Sequence, residues 1–175
     1  MVVGLLTLIL ERPITASPEN IAISQSDLPQ GWNLTNSTIR WAHNSTIPME
    51  SGVTWYCQLE LFNQSSNSSV WMLITSFNTT INAKSAHSNW FSTYCGPEWV
   101  FEDIDLGDEG TRTKTPYNPE GDNSNSYAEY FWREGNVWVQ MEFRSGVILE
   151  YLPWMDDLAG IQASKIHQNR SLIHL

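Results

Sequence analysis

Two segments of the chain alternate apolar and polar residues with a period of two, and this pattern constrains the fold more than any other feature. In residues 53–62 the apolar positions are Val53, Trp55, Cys57, Leu59 and Leu61. In residues 137–143 they are Val137, Val139, Met141 and Phe143. Because successive side chains of a β-strand point to opposite faces, each segment is predicted to be a strand with one face in the core.

Four further segments are predicted to be strands: residues 33–41, 70–77, 99–106 and 127–132. The residues Glu134, Gly135 and Asn136 separate the last of these from 137–143 and favour a β-hairpin, because Gly and Asn tolerate the positive φ of tight turns. Hairpin connections join antiparallel neighbours, so the sheet is predicted to be mostly antiparallel.

Two segments are predicted to be helices. Residues 81–94 place Ala83, Ala86, Trp90 and Tyr94 on one stripe, as an amphipathic helix does. Pro153 suits the first turn of a second helix that runs to residue 168. The order of strands, helix, strands and helix predicts an α+β fold, a mostly antiparallel β-sheet of about six strands with two main helices packed on it.

The length of 175 residues suits one domain, so residues 17–175 are predicted to form a single α+β domain. Residues 1–16 are interpreted as the remnant of a signal peptide or anchor. Residues 2–10 form an apolar run of the length of a signal-peptide core, which is too short to span a bilayer. No basic residue precedes this run, and a first strand or buried helix of the domain is the alternative interpretation.

The charge balance excludes two classes of partner. Nine Lys and Arg stand against nineteen Asp and Glu, which gives a net charge of −10. Such a chain repels polyanions, so neither nucleic acid nor strong binding of the domain to an anionic membrane surface is expected. The expected partner is a ligand or protein at the cell surface, and the sequence indicates no cofactor.

The sequence is rich in acceptor tripeptides for N-glycosylation. Chance placement of its fourteen Asn among 32 Ser and Thr would give roughly two or three such tripeptides, and seven are present. They begin at Asn33, Asn36, Asn44, Asn63, Asn67, Asn78 and Asn169. This excess predicts an exported, glycosylated protein, with the sugars in turns or at exposed strand positions.

The chain has two cysteines, Cys57 in a predicted strand and Cys95 at the end of the first predicted helix. In an exported chain this pair predicts one disulfide that joins helix to sheet. Structural free thiols, and a catalytic thiol acting with His87, are the alternatives.

An acidic stretch lies between Glu98 and Glu109. Its carboxylates do not follow the spacing of a calcium-binding loop, and along a strand they would point to alternate faces, so no metal site is predicted. A pair of carboxylates across a cleft could hydrolyse glycans, but no motif for phosphate binding, nucleophilic catalysis or zinc chemistry is present. The protein is predicted not to be an enzyme.

Trp138 shares a predicted strand face with Gln140 and Glu142, opposite the apolar positions of that strand. An exposed Trp beside polar groups stacks on sugars or partner proteins, so these three residues are the candidate binding surface. The alternative is that a helix covers this face.

Several short motifs occur together in a fixed order. They are DLPQGW at 27–32, NAKSA at 82–86, DLGDE at 105–109, REGNV at 133–137 and DLA at 157–159. This order resembles a class of extracytoplasmic domains found in archaea and in actinobacterial lipoproteins and kinase sensor regions, which are similar to the PsbP-like fold of the extrinsic lumenal protein of photosystem II. The resemblance implies a non-enzymatic binding, sensing or scaffold domain and no catalytic residues.

Three functions remain in consideration. The first is an exported surface domain that binds a ligand or partner without catalysis. The second is a structural or accessory protein of the cell envelope. The third and least favoured is a secreted glycan hydrolase.

Overall fold

The computed structural model describes residues 13–42, 52–94, 100–114, 126–145 and 153–171. The strands are β1 (Trp32–Trp41), β2 (Val53–Asn63), β3 (Ser68–Phe77), β4 (Val100–Asp103), β5 (Glu109–Lys114), β6 (Ser126–Glu134) and β7 (Val137–Ser145). The helices are α1 (Pro18–Ile21), α2 (Thr80–Tyr94) and α3 (Pro153–Ser171). The first strand follows a short 3-10 turn at Gln25–Asp27.

The seven strands form one antiparallel sheet in the order β1-β2-β3-β7-β6-β5-β4. Strand β7 pairs with β3 on one side and with β6 on the other. The last hairpin therefore joins the two halves of the sheet. The predicted antiparallel α+β architecture is confirmed, with both main helices close to their predicted bounds.

The sheet has one strand more than expected. Strand β5 has the sequence EGTRTK, which carries no apolar alternation that could identify it. Strand β4 covers only Val100–Asp103, shorter than the predicted 99–106. The short helix α1 lies in a segment for which no helix or strand was predicted.

One face of the sheet carries the main core, and α1 and α3 pack on it. The alternating residues of β2, β3, β6 and β7 meet Met155, Leu158 and Ile166 of α3 there. Trp32 and Trp154 have ring centroids 5.0 Å apart in this layer. The fully buried Gln162 of α3 accepts a hydrogen bond from the N–H of Ile23 and donates one to the carbonyl of Ile21. These bonds satisfy the backbone where α1 ends.

Helix α2 packs on the opposite face and covers only part of it. Ala83, Ala86 and Trp90 contact Phe131, Trp138, Leu73 and Phe77. The rings of Trp90 and Phe131 lie 4.0 Å apart. Among the described residues, no helix lies on the rest of this face, which spans β1, β2, β3 and the end of β7.

The first described residues of the chain lie beside the β6–β7 turn. The buried Asn136 accepts a hydrogen bond from the N–H of Ile14 and donates to the carbonyls of Ile14 and Phe77. One side chain thus holds the segment at Ile14 against the end of β3. Residues 1–12 lie outside the described residues, as does most of the predicted leader. No helix in the described part of the chain is both long and apolar enough to cross a membrane.

Candidate functional site

The uncovered part of the sheet, here called the open face, is organised by the strand register. Cross-strand partners on this face follow one another as Asn36, Glu60, Trp71, Glu142, Glu129 and Thr113. Neighbouring partners have Cβ atoms about 4.5–5.5 Å apart. Three carboxyl groups and one indole therefore lie in a single row across the sheet.

A groove of about 680 Å³ runs over this row. Among the residues that line it are Glu60, Phe62, Trp71, Gln140, Glu142 and Arg144. The two aromatic side chains are half-buried, so part of each ring faces solvent. A groove of this size that combines aromatic surface with a few polar groups is typical of ligand-binding sites.

Glu129 has an unusual environment beside the groove. It is 6% exposed, and its Oε2 atom has no hydrogen-bond partner among the described residues. Burial raises the pKa of this carboxyl to about 7, with a further contribution from the charge of Glu142 and opposition from a hydrogen bond with Gln140. At neutral pH, Glu129 is therefore poised between its neutral and charged forms.

The predicted binding surface is only partly available. Trp138 is 6% exposed because α2 covers it, and its indole N–H donates to Nδ1 of His87 at 3.2 Å. The placement of Trp138 on an exposed surface was thus wrong, and the alternative of a covering helix holds for this residue. Burial lowers the pKa of His87, with the nearby Glu109 opposing and Arg133 adding to that effect.

Gln140 and Glu142 do lie on the open face and line the groove. Nε of Arg144 lies 2.7 Å from Oε1 of Glu142, and the Arg144 side chain is 54% exposed. Glu60 is 3.4 Å from the side-chain amide of Gln58 and has no cationic partner within the described ranges. Trp71 of the neighbouring strand β3, and not Trp138, is the indole on this surface.

The acidic stretch contributes to a network of ion pairs at the other end of the sheet. The guanidinium of Arg133, whose side chain is 6% exposed, lies 3.1 Å from Asp108 and 3.4 Å from Glu109. Burial opposes ionisation of Asp108, but hydrogen bonds from Arg170 and the Gly135 N–H outweigh it, so its pKa is lowered. These carboxylates are neutralised internally. No group of three or more metal-binding side chains occurs among the described residues, and Glu98 lies outside them.

A second cleft of about 540 Å³ lies between residues 105–108 and α3. Four of its side chains contact one another: Asp108 and Arg170 at 2.7 Å, and Glu134 and His167 at 2.8 Å. These contacts hold the end of α3 against the hairpin, while Asp105, which also lines the cleft, is exposed.

The structure describes one of the two cysteines, Cys57. Cys57 is fully buried with a free thiol, and it faces the α3 side of the sheet. Helix α2, which leads to Cys95, packs on the opposite side. Cys95 itself lies outside the described residues. The helix α2 thus does not cover Cys57, and the Cys57–Cys95 disulfide stays a prediction.

None of the described sequon asparagines is buried. Asn33 and Asn36 are exposed on β1 and share the face of Phe62 and Glu60. Asn67 is exposed in the β2–β3 turn with a φ of 49°, and Asn78 is exposed after β3. Asn63 and Asn169 are half-buried, and Asn44 lies outside the described residues.

Comparisons with known proteins bear on the fold alone. No family model matches the sequence, and no curated protein matches it. The structure is similar to the extracellular domain of PknH from Mycobacterium tuberculosis, with a TM-score of 0.55 and 12% sequence identity. The similarity covers 92% of this chain and 98% of that one. The chain therefore shares its fold with an extracellular domain of the kind that the motif order resembled, whereas the PsbP-like relationship stays a prediction.

Proposed function

We propose that this protein is an exported, non-enzymatic domain that binds a ligand or partner on the open face. The observation that carries the proposal is the groove beside Trp71, where aromatic surface lies between carboxylates on a part of the sheet that no described helix covers. In the second cleft, beside α3, Asp108 and Glu134 are instead engaged by Arg170 and His167.

The position of the groove fits a surface domain. Ile14 enters at the β6–β7 turn, whereas Ser69 and Arg144 lie at the far ends of β3 and β7. Seven residue steps lead from Val137 to Arg144, a length of about 23 Å. If a leader or anchor precedes Ile14, the groove lies toward the opposite end of the sheet from it.

The sequons add a second element to the proposal. Sugars on Asn33 and Asn36 would stand on the edge strand β1, beside the groove. There they would block pairing of this exposed edge with another strand while leaving the groove open along β7. Loss of mass on enzymatic deglycosylation of the natural protein would test their occupancy.

A hydrolase is disfavoured by the placement of its acid. Glu129 has the raised pKa that a general acid needs, and it lies opposite Glu142. Its carboxyl is nevertheless buried and does not line the groove. It therefore does not reach a glycosidic oxygen held there.

The test is a titration of the folded domain with a fixed panel of soluble probes: chitobiose, a Glu-Gly-Glu peptide, a Lys-Gly-Lys peptide and 1,5-diaminopentane. Backbone amide shifts in NMR report where each probe binds. We expect at least one probe to shift the amides of Glu60, Trp71 and Glu142 saturably. Shifts confined to the cleft at α3, or a panel without any effect, would contradict the binding role and favour a structural envelope protein.

A further inference from the structure

The row of residues on the open face alternates charge and aromatic surface in a particular way. Trp71 has Glu60 as its partner on β2 and Glu142 as its partner on β7. With strands about 4.8 Å apart, the two carboxylate-bearing positions lie about 10 Å apart with the indole between them. Both carboxylates and the indole line the same groove.

This arrangement matches the chemistry of an organic cation. The face of an indole attracts ammonium and guanidinium groups, and flanking carboxylates accept their N–H donors. We infer that the groove binds ligands through a protonated amine or guanidinium group seated on Trp71 between Glu60 and Glu142. This inference rests on the proposed function and names the chemical class of its ligand.

The existing contacts of the face show that it accepts such groups. The guanidinium of Arg144 lies against Glu142, and that of Arg40 lies 6.0 Å from the ring centroid of Tyr56 on the same face. The pair is partly exposed, because the Arg144 side chain is 54% exposed and that of Glu142 is 16% exposed. A ligand cation seated on Trp71 can therefore compete with Arg144 for Glu142.

The groove also carries negative charge that its own residues do not balance. Among the described residues that line it, Arg144 is the only basic side chain, against Glu60 and Glu142. Behind Glu142, the buried Glu129 adds a third carboxyl with an unpartnered oxygen. A bound cation would relieve this excess, and it would favour ionisation of Glu129 by lowering its pKa from about 7.

The direct experiment compares 1,5-diaminopentane with 1,5-pentanediol, which has the same length and no charge, by NMR titration of the whole protein at pH 8. We expect the diamine to shift the amides of Glu60, Trp71 and Glu142 saturably and the diol to leave them unmoved. Equal binding of the two compounds would overturn the inference. Affinity should also fall as the pH is lowered through 7, because Glu129 becomes neutral.

Variants make the test specific to the row. Glu60→Gln and Glu142→Gln should each weaken binding of the diamine about tenfold, which is the loss expected for one charged hydrogen bond. Arg144→Ala should strengthen binding of the diamine up to about fivefold, because a competing cation is removed. Asp157→Asn removes one charge from an exposed position of α3 and should leave the affinity for the diamine unchanged. An equal loss of affinity in Asp157→Asn and Glu60→Gln would show that binding depends only on the net charge of the protein, and this would contradict a site.

Three further arms separate the sources of the cation and the two proposals. Binding of the free diamine but not of a Lys-Gly-Lys peptide indicates a small-molecule ligand, and the reverse indicates a basic partner segment; both support the inference. Binding of Ca²⁺ that is lost in Glu142→Gln, without diamine binding, would overturn it in favour of a metal. Chitobiose binding at Trp71 without diamine binding would leave the open face as the binding face and reject only the cationic class.

Discussion

Glu129 on β6 and Glu142 on β7 lie directly opposite each other on the same face of the sheet. Two like charges in this arrangement are destabilising, and one of the two carboxyls is 6% exposed. The pair is one place in the described core where the sequence works against the stability of the fold. Such a cost is common at sites that serve binding.

The first prediction concerns the effect of pH on stability. The pKa of Glu129 is about 7 in the folded protein, against an ordinary value of 4.5. Between these two values the folded state binds more protons than the unfolded state, so the contribution of Glu129 to stability falls as pH rises through the window. Glu129→Gln should therefore be more stable than the wild type at pH 8, by on the order of 2–3 kcal/mol, and equal to it near pH 4.5.

Urea unfolding of both proteins at several pH values measures this difference. His87 acts in the opposite direction, because its lowered pKa makes stability rise with pH up to 6.5. The difference between variant and wild type cancels that contribution. A difference that does not change with pH would show that Glu129 is not perturbed.

The second prediction concerns the buried guanidinium of Arg133. Arg133→Met should destabilise the fold by about 1–3 kcal/mol, because the buried carbonyl of Gly135 loses its donor while Asp108 and Glu109 keep only Arg170 and Lys84 as partners. Arg112→Met is the matched control: its side chain is 25% exposed beside Glu102 and Asp156. That change should cost about 0–1 kcal/mol. Equal midpoints for the two variants in thermal unfolding would refute a special role for the buried network.

The third prediction concerns the hydrogen bonds that Asn136 makes with Ile14. Asn136→Ala leaves the N–H of Ile14 and the carbonyl of Phe77 without partners, at a cost of about 1–3 kcal/mol for each buried group. Amide hydrogen exchange at Ile14 should accelerate more than exchange at Val139 in the middle of β7. Gln30→Ala, in the exposed turn before β1, is the control and should leave both rates unchanged. Unaltered exchange at Ile14 in Asn136→Ala would show that other contacts hold this segment.

The fourth prediction concerns the thiol of Cys57. Burial raises its pKa to about 11, opposed in part by a hydrogen bond from Ser37. The thiolate is the reactive form, so iodoacetamide should not label Cys57 in the native protein. It should label Cys57 fully in denaturant without reductant, because the thiol is free. Labelling that requires a reductant would instead establish a disulfide.

The sequence predicted the elements that alternate or carry helical stripes and missed those that do not. Strands β2 and β7 were evident because their apolar residues recur every second position. Strand β5 escaped because Thr111, Arg112 and Thr113 have no such pattern, although their pairing with β6 makes them part of the sheet.

The binding surface could be predicted only in part, because it depends on strand order. Gln140 and Glu142 were placed on one face by alternation alone. That Trp71 joins them follows from the pairing of β3 with β7, two strands separated by 59 residues of chain. The burial of Trp138 depends on which face α2 covers, and periodicity within one strand carries no information about that choice.

The central claim is that the open face meets a ligand outside the cell, and carboxyl footprinting on intact producing cells tests it most directly. A membrane-impermeant carbodiimide is applied to the cells and, separately, to the purified domain, and modification of each carboxyl is read by mass spectrometry. We expect the exposed Asp157 of α3 to be modified equally in both samples. We expect Glu60 and Glu142 to be protected on cells and modified in the purified domain. Modification of Asp157 only after lysis would contradict export, and equal modification of Glu60 and Glu142 in both samples would contradict binding at the open face.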